Sequence, residues 1–296
     1  RSSLATDGRP QINRTVSVSA AAALRIAAIV VAIAMTTLPL PAVAYVLEGP
    51  HILELTADAL GKITALKVHQ RLSIYPETAE IEPTVLDETA IYVMPERFRS
   101  DIVSDGHHRT HLVFADSSLT VVEGRTVVDQ DGFDRYQQLL RSRTRQRLMR
   151  TLNQLGVETA ISSLGRYDEK VVFVLGARYP DESRSQLAVD KQTFLPVRLL
   201  LVDHRPTGND RRMEIVYQNW QKVQNGVFPF QVLFYLNGRL AREIQVTDLN
   251  PQPSIAPDML DLEALKASVA IRDATVAAGQ KQKAAAEVQG LRKNFE

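Results

Sequence analysis

Between Ala65 and Asn250 the chain is a succession of short apolar runs that alternate in polarity and are separated by brief turns. Strands joined so closely must run antiparallel, because a parallel connection needs a crossover of about a dozen residues or more. ALKVHQRLSIY places Leu66, Val68, Leu72 and Ile74 on one parity, and TVLDETAIYVM, RFRSDIVSD, HHRTHLVFA and SSLTVVE follow as strands. Their turns fall at Pro95, Asp105-Gly106 and Asp116-Ser117. A second group, KVVFVLGAR, SRSQLAVD, LPVRLLLVD and RRMEIVYQNW, leads into a last hairpin. The loop YPETAEIEPT carries two prolines and is excluded from a central strand.

Two segments break this rhythm. HILELTADALGKIT puts Leu53, Ala57, Leu60 and Ile63 at helical spacing, and FDRYQQLLRSRTRQRLMRTLNQLG does the same with Tyr136, Leu140, Leu148, Leu152 and Leu155 before Gly156. The second is read as one central helix. So many strands and so few helices predict a mainly β fold: a curved antiparallel sheet forming an incomplete barrel, its concave face covered by helices.

The last hairpin, NGVFPFQVLFYLNGRLAREIQVTDLN, has more aromatic bulk than a half-exposed strand needs. Phe228, Phe230, Val232 and Phe234 share one parity, and Asn237-Gly238 is a strong turn signal. A two-residue turn puts Phe234 opposite Ala241 and Leu236 opposite Arg239. A bulged three-residue loop instead aligns Leu236 with Leu240, Val232 with Ile244 and Phe230 with Val246. The second register is favoured because it gathers more apolar side chains on one face.

Composition narrows the chemistry. The 296 residues are 45% hydrophobic, and 35 basic side chains balance 34 acidic ones, so no nucleic-acid footprint is present. Cysteine is absent, which removes disulfides, thiol nucleophiles, thiolate metal sites and a lipid-bearing cysteine anchor. Arg14 and Arg25 precede the apolar run from Ile26 to Met35, and Ala42-Val43-Ala44 has the small-x-small form of a signal-peptidase site. Cleavage between Ala44 and Tyr45 is expected, with export to a periplasm. A membrane anchor is the alternative, but the run is short for a span of about 20 residues and meets Pro39 and Pro41. The expected division is a signal peptide over 1–44, a binding domain over 45–262 and a helical extension over 263–296, where Ala284, Val288, Leu291 and Phe295 form an apolar stripe.

No catalytic pattern stands out: there is no GxSxG, P-loop, dinucleotide fingerprint or HExxH helix. In HHRTH only His107 and His111 share a strand face, which favours a solvated turn over a metal site. Glu80 and Glu82 lie in a loop too polar to raise a carboxyl pKa. The arginines of the central segment, 135, 141, 143, 145, 147 and 150, face one acid, Asp134, and read either as a solvated face or as a contact for anionic headgroups or an acidic partner. Trp220 reads as packing. Neither an enzyme nor a cofactor is expected.

Two stretches carry a resemblance to a family. ETAIYVMPERFRSDIVSDGHHRTHLVFADSSLTVVEG, with Pro95, Phe98 and Asp105-Gly106, and VYQNWQKVQNGVFPFQVLFYLNGRLAREIQVTDLN resemble the LolA-like outer-membrane lipoprotein carriers over about Leu53 to Leu262. The resemblance implies a helical lid over a hydrophobic cavity that holds acyl chains of lipoproteins or lipids. It also implies an inner-membrane transporter and an outer-membrane receptor as partners. The cavity residues expected on this basis are Leu66, Val68, Leu72, Ile74, Tyr92, Met94, Phe98, Ile102, Met213, Ile215, Phe228, Phe230, Val232 and Phe234. An RseB-like periplasmic sensor is the alternative, whereas a LolB-like receptor needs the missing cysteine. The founding carrier has an arginine before the proline matched by Pro95, where it helps latch the lid; Met94 stands there instead. Opening is therefore expected to be easier, and Met94→Arg to slow ligand release. If the phenylalanines face an unfilled cavity, leucine at 230 or 234 is expected to cost little stability.

Overall fold

A computed structural model describes residues 46–272 except 79, 105, 129–131, 206, 207, 209 and 271. The expected cleavage between Ala44 and Tyr45 and the stripe from Ala284 to Phe295 lie outside the described residues. Among the described residues no helix is long and apolar enough to cross a membrane.

Helix α1 (Gly49–Leu60) opens the described chain, followed by β1 (Gly61–Lys62), β2 (Ala65–Ile74), β3 (Thr84–Val93), β4 (Arg97–Ser104), β5 (His107–Phe114), β6 (Ser117–Val122) and β7 (Arg125–Val127). A 3-10 turn (Phe133–Arg135) and helices α2 (Tyr136–Arg141) and α3 (Arg145–Gln154) come next. Then follow β8 (Ser162–Tyr167), β9 (Lys170–Leu175), β10 (Gln186–Asp190), β11 (Pro196–Asp203), β12 (Arg211–Val223), β13 (Asn225–Leu236) and β14 (Arg239–Asn250). All pairings are antiparallel, as the short turns require.

The strand order is β7-β6-β5-β4-β3-β2-β14-β13-β12-β11-β10-β9-β8, with β1 added beside β13. Its two ends, β7 and β8, do not pair with each other, so the sheet stays an open barrel. The chain between those ends is the helical segment, so α2 and α3 belong to the connection from one free edge to the other.

Alternation sorts the two faces. On the concave side Leu66, Val68 and Leu72 of β2, Tyr92 of β3 and Phe98 of β4 join Ile215 of β12 and Phe228, Val232 and Phe234 of β13 in one core. Ile52, Leu53 and Leu60 of α1, Leu139 and Leu140 of α2, and Leu148 and Leu152 of α3 complete it. α1 stops where Gly61 takes φ 68°, and a Cβ at Gly61 would collide with the Asn225 carbonyl of the adjoining strand. Glycine is required there both by conformation and by space.

The central helix is not continuous. It breaks at Ser142 to Thr144, although the leucine spacing carries through the break. Local side-chain bonds compete with helical ones here. Thr144 caps α3 by accepting from the Arg147 amide at 3.3 Å, and Ser142 Oγ donates to the Gln138 carbonyl at 2.9 Å while lying 2.8 Å from Thr151 Oγ1.

The closing hairpin combines both expected registers. Its turn has two residues, with Asn237 at φ 51° and Gly238 at φ 82°, and it sets Leu236 opposite Arg239. One residue further along β14 an irregularity takes up Ala241, so that Phe234 faces Arg242 and Val232 faces Ile244. The bulge, rather than a longer turn, brings the apolar residues into one row.

The convex face carries its own cover. Arg99 donates to the Met259 carbonyl at 2.8 Å, and Leu260 is buried with Ile91 and Leu112. Residues 262–270 are helical and lay Leu262, Leu265 and Val269 over Leu119 and Val121. Part of the segment read as an extension thus packs on the sheet.

Candidate functional site

The helices leave part of the concave face uncovered. A cavity of about 320 Å3 remains among β2, β3, β4, β5, β6, β13, β14, the 3-10 turn and the start of α2. Leu72, Ile74, Leu86, Ile102, Phe133, Tyr136, Phe234 and Ile244 make its apolar wall. Cross-strand pairing assembles it: Leu72 stands opposite both Leu86 and Ile244, and Phe234 opposite Arg242. Its size falls at the lower end of the 300–1,000 Å3 range usual for ligand pockets.

Four of the cavity residues expected from sequence therefore meet at one place: Leu72, Ile74, Ile102 and Phe234. Leu66, Val68, Tyr92, Phe98, Met213, Ile215, Phe228 and Val232 lie in the filled part of the core, and Met94 and Phe230 pack against it half-buried. The aromatic rings interlock. Tyr92 meets Phe98 at 4.9 Å and Phe228 at 5.4 Å, while Phe234 is 1% exposed and meets Phe133 and Tyr136 edge-on at 5.7 and 5.5 Å. The expectation that leucine at 234 costs little is revised accordingly, because the ring packs edge-on against Phe133 and Tyr136 while also bordering the cavity.

The wall also has a polar part: His107, His108 and Arg109 of β5 border it with Glu123 and Arg242, and the carboxyl that sequence reading missed is Glu88. Glu88 is 5% exposed, on the same parity as Leu86, Ala90 and Tyr92. Gln70 Nε2 donates to Glu88 Oε2 at 2.8 Å, Ser100 Oγ donates to Oε1, and Gln70 also reaches Tyr136 OH at 3.4 Å. Burial pushes the Glu88 carboxyl above its ordinary pKa, against these bonds and the more distant Arg109. Arg109 itself is paired with Asp134 at the cavity's edge. A binary reading of strand parity marks Glu88 as the misfit on an apolar face, and that is the signal that finds it.

HHRTH is the start of β5 rather than a solvated turn, and its histidines divide. His111 is buried and lies 2.8 Å from Thr120 Oγ1, His107 is 3.3 Å from Glu123, and His108 is 3.8 Å from Asp101. Among the described residues no three His, Asp or Glu side chains converge as a metal would need. Trp220 packs against Tyr217 at 6.2 Å and donates to the Pro196 carbonyl at 3.1 Å.

A buried arginine and a half-buried one tie the helical cover to the sheet. Arg141 of α2 donates from Nη1 to the Pro95 carbonyl at 3.3 Å, directly after Met94. Arg143 donates to the Leu60 carbonyl at 2.6 Å, the Val227 carbonyl at 3.0 Å and the Leu140 carbonyl at 2.9 Å. Burial draws both guanidinium groups down to about 10, which leaves them charged at neutral pH. The arginine contact at this proline thus comes from the helix rather than from the strand.

No protein-family model and no curated protein sequence matches the chain. Solved structures do. The LolA superfamily protein NE2245 from Nitrosomonas europaea is similar at a TM-score of 0.50 and 10% identity, over 73% of this chain and 99% of that one. An outer membrane lipoprotein-sorting protein domain from Vibrio parahaemolyticus gives 0.48 at 12% identity, over 74% and 98%. MucB in its Pseudomonas aeruginosa complex with MucA gives 0.24 at 17%, over 73% and 62%. The open antiparallel sheet, the helical connection across its mouth and the first of these likenesses together identify the fold as LolA-like.

Proposed function

We propose that the protein binds a single acyl chain of a lipid or lipoprotein in the apolar cavity under α2 and carries it through a periplasm. The observation that supports this reading is the cavity itself: aliphatic and aromatic side chains of β2, β3, β4, β13 and β14, with those of the 3-10 turn and α2, border space that the protein does not fill. Apolar space of this kind gains from an apolar guest. Burial contributes about 0.8 kcal/mol per methylene, so roughly ten methylenes supply about 8 kcal/mol, the scale of a micromolar complex before ordering costs. A carrier needs that moderate affinity and an exit. Arg141 and Arg143 act as the clasp, because their contacts to backbone carbonyls must part before α2 can lift from Pro95, Leu60 and Val227. Transport toward the outer membrane, with delivery and receipt by membrane partners, extends the same reading.

The test is displacement of a fluorescent fatty-acid probe from wild type and from Ile102→Phe, which adds volume at the cavity wall. Micromolar binding that the variant weakens several-fold supports the proposal. Equal binding by both proteins places the chain elsewhere and overturns it.

A further inference from the structure

On the other side of α2 lies a second cavity of about 730 Å3 with the opposite chemistry. The 3-10 turn and α2 form the wall between the two. Phe133 and Tyr136 face the apolar cavity, Arg135 and Arg141 face the other, and Asp134 borders both. Neighbouring positions on a helix point to different faces, which is how one short segment serves two environments. α3 adds Arg147 and Arg150 from across the space.

Four guanidinium groups thus converge on one concavity, together with the carboxylates of Glu96, Asp116 and Asp134. Two of those acids are occupied: Glu96 lies 2.8 Å from Arg147, and Asp134 pairs with Arg109. Among the described residues Arg135, Arg141 and Arg150 have no ion-pair partner, and Asp116 is the one remaining carboxylate on the wall. Arg141 is 7% exposed and bonds neutral acceptors, the Gln137 side chain and the Pro95 carbonyl. Among the described residues three cations therefore stand against one anion, an excess of positive charge in a partly enclosed space. Such an excess attracts an anion, and planar guanidinium forks fit the oxygens of a phosphate. A phosphate monoester, at about −1.5 to −2, is of the right size of charge to balance it.

We propose that this cavity binds a phosphate group. Its further form, that the phosphate is the head of the amphiphile whose chain fills the apolar cavity, rests on the acyl-binding reading above. A single helix separates the two cavities and Asp134 borders both, so an amphiphile that reached both would pass at Asp134.

Calorimetry of the purified protein with three probes tests this: inorganic phosphate, a lysophosphatidylglycerol and a monoacylglycerol of the same chain length. The variant is Arg135→Gln/Arg150→Gln, two exposed positions whose change does not threaten the core, and Arg145→Gln, exposed and off the cavity wall, is the control. Wild type and control are expected to prefer the lysophospholipid over the neutral lipid by about tenfold or more, and the double variant to lose that preference while keeping its monoacylglycerol affinity. Phosphate binding that disappears in the double variant, without any lipid binding, keeps the anion site and removes both the lipid source and the acyl reading. Monoacylglycerol binding with no preference for the phospholipid and no phosphate binding overturns the anion site and leaves the acyl reading intact. A preference that survives the double substitution also overturns it.

Discussion

Replacing Phe234 by leucine probes the closed arrangement of α2 over the cavity. The Phe234 ring meets Phe133 at an interplanar angle of 73° and Tyr136 at 90°, with centroids 5.7 and 5.5 Å away. Edge-on aromatic pairs contribute about 0.5–1.5 kcal/mol each beyond their buried area, so losing two costs about 1–3 kcal/mol. The removed volume adjoins space that is already empty, so the cavity is enlarged rather than newly made, and the added penalty is small. With a urea m-value of about 2 kcal/mol/M, the unfolding midpoint should fall by about 0.5–1.5 M at unchanged slope. Phe230 is the internal comparison, being half-buried and without a ring pair among the described residues; leucine there should cost less than about 1 kcal/mol. Equal losses at the two positions would refute the reasoning, because Phe234 would then not be held beneath α2.

Further outcomes follow from the same geometry. Glu88→Gln should raise stability at pH 8 relative to wild type, and the gain should fade as pH falls toward about 4.3: a carboxyl whose pKa is raised by folding contributes its stability below the unfolded value and loses it as pH rises, so the amide removes a penalty present on the alkaline side, read by urea midpoints across pH. Arg141→Gln should speed release of a bound acyl probe in stopped flow, and Met94→Arg should speed it too, since a second guanidinium would stand beside the one already on Pro95; slower release by Met94→Arg would restore the strand-side latch expected from sequence. Arg143→Lys should lower stability by about 2 kcal/mol in urea unfolding, because an ammonium cannot span the carbonyls of Leu60 and Val227 as the fork does. Leu260→Ala should cost about 2–4 kcal/mol by the same measurement while leaving probe affinity unchanged, as its site is on the convex face.

The sheet was legible because alternation and short turns act locally. β3, β4, β5 and the long β12 to β14 run stand where their polarity pattern puts them. β8 was not legible, since SSLGRY has a glycine and two serines and gains its place by pairing with β9. The break at Ser142 to Thr144 was hidden by arginines, which are good helix formers, and by leucines whose spacing ignores it. Apolar parity identified the concave face but not the cavity in it. Which side chains are covered depends on how the helices pack over the sheet, so Val68 and Leu72, four residues apart on one face of β2, differ: Leu72 borders the cavity and Val68 does not. Glu88 was overlooked for a related reason: its neighbours on the pleat are apolar, and only the tertiary partners Gln70 and Ser100 make its burial tolerable.

Photoaffinity labelling with a diazirine-bearing fatty acid, followed by peptide mass spectrometry, tests the acyl-binding claim most directly. Labelled residues should cluster at Leu72, Leu86, Ile102, Phe234 and Ile244, and an excess of unlabelled fatty acid should suppress them. Labelling confined to the convex side around Leu119 and Val121, or labelling that competitor does not reduce, would contradict an acyl site beneath α2.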